Sequence, residues 1–238
     1  MLAGISADYY LRLERGRDRH PSAQVVEAIA RVLQLDDEHR AHLRALAAEP
    51  RGTRGVQPGT EAVPAGAREL MDALIQPAYI EGRFFDILAS NRLARALNPR
   101  LVPGGNQLKD LFLDPAERAM HPDWDRAAAC QVSSLRKAVG NDLDDPGYLE
   151  LVGELTAFSS GFSRLWARHD VAAQRGAAIR LHHPRVGELN LNRERMGIGG
   201  TNGMTLVVYH AAGGTSDAEK LAVLASADHV DAPAAVPE

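Results

Sequence analysis

Near the start of the chain, Asp8, Arg12 and Arg15 recur at spacings of four and three, which places a carboxylate and two guanidinium groups along one face of a helix. Guanidinium forks bond bidentately to guanine edges, and a carboxylate accepts from the cytosine amine, so this face has the chemistry of base reading. Asp8 and Arg12 also stand at the spacing at which they would pair with each other. Ser6 is an N-cap type, Ile5 and Tyr10 occupy the two places of a hydrophobic staple, and Gly16 suits the left-handed turn that ends a helix. Tyr10 and Leu13 are expected to face inward. The loop that follows, Arg17-Asp18-Arg19-His20, is rich in cations of the kind that contact phosphates, which set affinity and orientation rather than sequence choice. The plainer reading of the same residues is an amphipathic surface helix with a good cap and a solvated loop.

The run Ala3-Gly4-Ile5-Ser6, followed after six residues by Leu13-Glu14-Arg15-Gly16, resembles the second half of an XRE-family helix-turn-helix. That resemblance implies double-stranded operator DNA as a partner, with contacts from Ser6, Ala7, Asp8, Tyr9, Arg12, Arg15, Arg17 and Arg19. Base edges would be read from Ala7, Asp8 and Arg12. It also implies two helices ahead of the Ala-Gly turn. Met1-Leu2 stands at the end of the second, so the head is expected to be partial, with Tyr10 and Leu13 uncovered and weak DNA affinity.

The elements around this helix follow from periodicity. Ser22 caps a helix to about Gln34 with Val25, Ile29 and Val32 inward, and Asp36 or Asp37 opens another with Leu43 and Leu46 inward. Residues 1–48 thus read as a helical head. Residues 49–63, with three Gly, two Pro and no apolar period, read as a linker.

Beyond it, 64–227 reads as a second domain and 228–238 as a loose tail. A helix from Pro64 to Ile75 is expected to turn Ala67, Leu70 and Leu74 inward. Strands at Ala78–Glu81 and Phe84–Ala89 form a hairpin about Gly82-Arg83, and Asn91 caps a helix through Leu97. Helices follow at Leu108–Leu113, Pro115–Met120, Asp123–Val139, Pro146–Phe158 and Phe162–His169. Strands return at Ala178–His182, Glu188–Arg195 and Met204–His210, and a capping box Ser216-x-x-Glu219 opens a last helix. The fold class is α+β: a partial all-α head, then a five-stranded antiparallel sheet with helices on one side.

This order of elements is similar to a PAS-like sensor. The stretches Ala78 to Leu97, Leu111-Phe-Leu-Asp-Pro115, Phe162-Ser-Arg-Leu-Trp-Ala-Arg-His-Asp-Val171 and His183-Pro-Arg-Val-Gly-Glu-Leu189, with Leu206-Val-Val-Tyr209, resemble the MmyB-like ligand-binding domain. The resemblance implies a small apolar ligand such as a fatty acid, held between sheet and helices. Candidate lining residues are Tyr79, Phe85, Trp124, Phe162, Trp166, Leu206 and Val208, each also readable as core. Arg164 or His169 would hold a carboxylate head.

Composition bounds the alternatives. In 238 residues, 45% are apolar and 24% charged, ordinary for a globular protein, and the net charge is −4. Acids outnumber cations beyond the head, while within residues 1–48 seven arginines balance seven acids. No apolar run approaches the about 18 residues of a membrane helix, so no membrane partner and a cytoplasmic location are expected. Cys130 is the single cysteine, which excludes an internal disulfide and a cysteine metal cluster. Adjacent His182 and His183 in a strand point to opposite faces, and no HExxH, phosphate loop or Gly-x-Ser-x-Gly is present, so neither a metal, a cofactor nor catalysis is expected. The reading is a homodimeric transcriptional regulator in which ligand occupancy shifts the two heads. The alternatives are a free-standing lipid-binding protein with a vestigial head and an enzyme acting on the ligand.

Overall fold

The computed structural model describes residues 6–15, 21–47, 62–140, 142–168 and 178–227, which form eleven helices and five strands of an α+β fold. Most of the expected linker and the whole expected tail lie outside the described residues.

Three helices form the N-terminal part: α1 (Ala7–Glu14), α2 (Ala23–Val32) and α3 (Asp37–Ala47). Ser6 caps α1 by accepting from the Tyr9 amide at 3.1 Å, and Ser22 caps α2 by accepting from the Val25 amide at 3.4 Å. Asp36 accepts from the His39 amide at 2.9 Å and opens α3. α2 packs on α3, and a Glu27–Arg44 ion pair ties them. The buried positions of α2 are Val26 and Ala30, with Val25 and Ile29 half-buried and Val32 exposed. An apolar stripe of this width can centre on either flank, and here it centres one residue later than the spacing of Val25, Ile29 and Val32 suggests.

The second part is built on one antiparallel sheet of β1 (Ala78–Glu81), β2 (Ile87–Ser90), β3 (Ala178–His183), β4 (Gly187–Gly197) and β5 (Thr205–His210), in the order β2-β1-β5-β4-β3. β2 begins later than expected because residues 82–86 are spent on the turn. The Gly82 amide donates to the Asp86 carbonyl at 2.8 Å, and Phe85 adopts φ +69°, which turns its ring into the core. Arg83 fastens this turn to the following helices, donating to the Ala138 and Val139 carbonyls at 2.8 and 2.9 Å and pairing with Asp142 at 3.0 Å. Asn91 does more than cap. Its Oδ1 accepts from Ala94 at 2.8 Å and Ala78 at 3.1 Å, while its Nδ2 donates to the Gln76 carbonyl at 2.8 Å, so one buried amide joins helix start, strand start and the preceding loop.

Between β2 and β3 run α5 (Arg92–Leu97), α6 (Gln107–Leu113), α7 (Pro115–Met120), α8 (Trp124–Val139), α9 (Pro146–Phe158) and α10 (Ser160–Ala167). Asp114-Pro115 and Asp145-Pro146 start α7 and α9 with a side-chain cap and a proline at the first turn. Ala128, Val132, Leu135 and Val139 form a buried stripe along α8, and Gly140 ends it at φ +55°. The last helix, α11 (Ser216–Ala227), is capped one residue earlier than expected: Thr215 Oγ1 accepts from the Ala218 amide at 3.3 Å, so Ser216 is already helical.

The sheet has two unlike faces. Strand register puts Tyr79, Glu81, Leu181, Leu189, Leu191, Val207 and Tyr209 on one, packed against Leu97 of α5 and Leu221 and Leu224 of α11. Ala78, Ile80, Ala89, Leu206 and Val208 lie on the other, beneath Met71 of α4 (Ala65–Ala73). The inward stripe of α4 is Ala67, Met71 and Leu74; Leu70 is 55% exposed, a neighbour of the stripe rather than its centre. α4 thus lies on the opposite face of the sheet from α5 and α11.

Candidate functional site

A cavity of about 660 Å³ opens between the first face of the sheet and helices α5 to α8, within the roughly 300–1,000 Å³ of small-molecule sites. β3, β4 and β5 supply Ile179, Leu181, Arg193, Arg195 and Tyr209, the helices supply Leu97, Leu111, Ala127, Cys130 and Gln131, and the loop between α5 and α6 supplies Leu101. At the rim, Arg180 of β3 grips Asp123 ahead of α8 with two bonds of 2.9 and 2.7 Å, the fork geometry that carboxylates favour. That contact holds Asp123 below its ordinary pKa, Arg180 being the main cause. Buried Glu117 is fixed by the Asn98 amide at 2.9 Å and by His121 Nε2 at 3.1 Å. Gln131 donates to Gln107 at 3.2 Å, while its own Oε1 is buried without a partner.

Part of the charged wall comes from β4. Alternation carries the buried side of Leu189 and Leu191 on to Arg193 and Arg195, so both guanidinium groups are directed over the sheet and under the helices. Arg195 pairs with Glu81 of β1, which is fully buried, and its guanidinium carbon lies 5.6 Å from the Phe85 ring centroid. Burial pushes the Glu81 carboxyl up, with Arg195 and Arg193 opposing. Arg193 makes no ion pair with a described carboxylate; its neighbour is Tyr209. The Tyr79 hydroxyl and Arg195 Nη1 are buried without hydrogen-bond partners. The lining therefore combines apolar side chains with four arginines, Arg126, Arg180, Arg193 and Arg195, and three acids, Glu117, Asp123 and Glu194, while buried Glu81 pairs with Arg195 from outside the lining.

The MmyB-like transcription regulator ligand binding domain, as a family model, matches residues 63–224, more than half of the chain and the whole of the sheet with its cavity. The chain belongs to this family. A helix-turn-helix domain model matches residues 1–43, and no curated protein matches the chain. This MmyB-like chain is a DNA-binding transcription regulator with a ligand-binding domain.

In the MmyB-like regulator the residues expected to line a pocket are placed elsewhere. Tyr79 is buried under the sheet's first face beside the cavity wall. Phe85 and Phe162 are core, in one cluster with half-buried Trp166, and Phe162 stacks on Trp166 at 5.5 Å. Trp124 is tied by its indole N–H to the Leu111 carbonyl at 2.9 Å. Leu206 and Val208 face α4, on the far side of the sheet, because a one-residue step along β5 changes the face. Arg164 is exposed, and His169 lies outside the described residues. None of the described members of that set lines the cavity. The residues that do include Arg193, Arg195 and Tyr209. The signal for them was present: two arginines continuing the buried alternation of Leu189 and Leu191.

His182 and His183 do point apart. His183 is buried, donating from Nε2 to the Ala96 carbonyl at 3.1 Å and accepting from the Arg185 amide at Nδ1, and burial lowers its pKa. His182 is exposed.

On α1 of the regulator, Arg12 pairs with Asp8 at 2.9 Å and its guanidinium lies 5.6 Å from the Tyr9 ring. Ser6 is engaged as the cap, and Arg15 is exposed; Arg17, Arg19 and the Ala7 side chain lie outside the description. The half-buried positions are Tyr9 and Leu13 at i, i+4, whereas Tyr10 is 37% exposed, so the inward face lies one residue away from the expected one.

Proposed function

We propose that the regulator reads operator DNA with α1 and senses a fatty-acid-like molecule in the cavity between sheet and helices. The observation that carries this reading is the pairing of an apolar wall with Arg193, a cation lacking a carboxylate partner, at its floor. The chain of such a ligand lies along Leu97, Leu101, Leu111, Ile179 and Leu181, and its carboxylate meets Arg193, the role that Arg164 or His169 was expected to fill. The orphaned Arg195 Nη1 supplies a further donor. The strand order β2-β1-β5-β4-β3 supports the PAS-like reading of this domain.

Regulation follows if ligand occupancy favours one placement of two heads in a homodimer, since a ligand shifts an equilibrium only by its differential affinity for the two states. The XRE-type resemblance of α1 supports contacts from Asp8, Arg12 and Arg15, with Arg12 leaving Asp8 to reach a base edge. Mass spectrometry of lipid extracted from purified protein tests the sensor, and a fatty acid at near-equimolar amount is the expected result. Recovery of only polar metabolites would overturn it. For the head, Arg12→Ala is expected to weaken binding to a promoter fragment by about 1–3 kcal/mol in an electrophoretic shift assay while leaving binding to random DNA nearly unchanged. Equal loss on both would reduce Arg12 to a phosphate contact.

A further inference from the structure

On the helical side of the cavity most side-chain acceptors already have partners. Asn98 Oδ1 accepts from the Arg100 amide at 2.9 Å, and Gln107 Oε1 accepts from Gln131 Nε2 at 3.2 Å. Buried Glu117 takes the Asn98 amide and the His121 ring, and Asp123 is held in the fork of Arg180. Two acceptors stay open. Gln131 Oε1 is buried without a hydrogen-bond partner, on a cavity-lining residue that is only 5% exposed. The other is Nδ1 of His121. Donating Nε2–H to Glu117 fixes the tautomer, so the neutral ring presents Nδ1 as an acceptor, and no described residue donates to it. His121 precedes α8, whereas Gln131 stands about 10 Å along that helix from its start, so the two are separate stations on the wall.

An unsubstituted alkyl chain along this wall would shield both acceptors and give nothing back. Leaving a buried acceptor unmet costs more than a made hydrogen bond gains. A hydroxyl answers either station, because its O–H donates while the group stays neutral. An ammonium also donates, but Glu117 and Asp123 are already engaged, so its charge would be buried uncompensated. The terminal torsion of a glutamine is broad, which lets Gln131 Oε1 turn to a ligand. We propose that Gln131 and His121 are specificity residues that accept from hydroxyl groups of the ligand, so that the cavity prefers a hydroxylated acyl chain to an unsubstituted one. The inference rests on the fatty-acid reading above and concerns the chain of that ligand; the carboxylate stays with Arg193.

The test is isothermal titration of the full chain at pH 7.5 with dodecanoate, 3-hydroxydodecanoate and 12-hydroxydodecanoate, whose hydroxyls lie near the carboxylate and at the far end. At least one hydroxy acid is expected to bind about fivefold or more tightly than dodecanoate, the scale of one net hydrogen bond. In the double variant Gln131→Leu with His121→Phe that ratio is expected to fall to near unity, while dodecanoate binds as tightly as before or more so. A merely structural role for the two side chains would weaken all three ligands together. A preference below twofold for both hydroxy acids in the unaltered protein would overturn the proposal, and so would a preference that persists in the double variant. Should the double variant fail to fold, Gln131→Leu and His121→Phe are measured singly, and a preference unchanged in each overturns it. If the unaltered protein binds none of the three, the fatty-acid reading itself fails; if it binds all three alike, that reading stands and the role of Gln131 and His121 is lost.

Discussion

The two faces of the sheet are made from the same strands and differ in almost every physical respect. Toward α4, Ala78, Ile80, Ala89, Leu206 and Val208 meet Met71 in a cluster that carries no charge. Toward the cavity, the alternate residues of the same strands include Tyr79, Glu81, Arg193, Arg195 and Tyr209, several with donors or acceptors unsatisfied. A dry face can be filled to the density of a protein interior, whereas a face holding orphaned polar groups is stable only at a cost that a ligand can relieve. Both faces carry core, but only the first also leaves a stretch open to the cavity. The period of two along a strand separates them completely.

This division breaks most visibly if a change on the dry face disturbs binding. Leu206→Ala removes a buried side chain beneath α4 and is expected to cost about 3 kcal/mol, read by urea denaturation. Dodecanoate affinity should stay within twofold. A parallel loss of affinity would mean that the faces are coupled through β5. The reverse experiment is Arg193→Met, which is expected to weaken dodecanoate binding by about 2 kcal/mol, the scale of a hydrogen bond to a charged group. Affinity for 1-dodecanol and the urea midpoint should hold or rise, because a partly buried cation without an ion-pair partner has been removed. Destabilisation in place of affinity loss would make Arg193 a structural residue and erase the contrast.

How far the sequence discloses this arrangement depends on which kind of signal each feature leaves. Elements bounded by strong local chemistry were legible: Asn91, Asp114-Pro115, Asp145-Pro146 and Gly140 mark helix ends that the structure reproduces. In β4, Leu189 and Leu191 alternate with Glu188, Asn190 and Asn192, and both leucines are buried. What alternation does not disclose is which of two apolar faces is the one beside a cavity, since both are buried from water. Leu206 and Val208, candidate lining for the pocket that the resemblance implies, belong to the dry face. Aromatic side chains suit pocket lining, yet Phe85, Phe162 and Trp166 close the helical core. Arg193 and Arg195 look like surface residues to any reading that equates charge with exposure, and only their phase with Leu189 and Leu191 reveals otherwise. Glu81, at the end of an apolar strand, carries no signal of its own until β4 is known to lie two strands away.

The smallest effect concerns the charge gathered on the cavity side, where the helices add to what the sheet supplies. Asp110 of α6 lies near buried Glu117, and its pKa is raised from 3.8 to about 6, mainly by burial and further by Glu117 and Asp114, with Arg100 opposing. Because the folded-state value exceeds the unfolded one, folding takes up a proton between about pH 4 and 6. Stability from this group is therefore greatest below about pH 4, falls as pH rises through that window, and stays lower above about pH 6. Fully buried, the difference would be worth about 3 kcal/mol; partial exposure reduces it to about 1 kcal/mol. Asp110→Asn abolishes the ionisation and should raise stability by that amount in denaturation at pH 7.5, with the gain vanishing at pH 3.5. A gain equal at both values would come from packing of the amide, and the electrostatic contrast between the cavity side and the dry side would then end at the sheet and not extend into the helices above it.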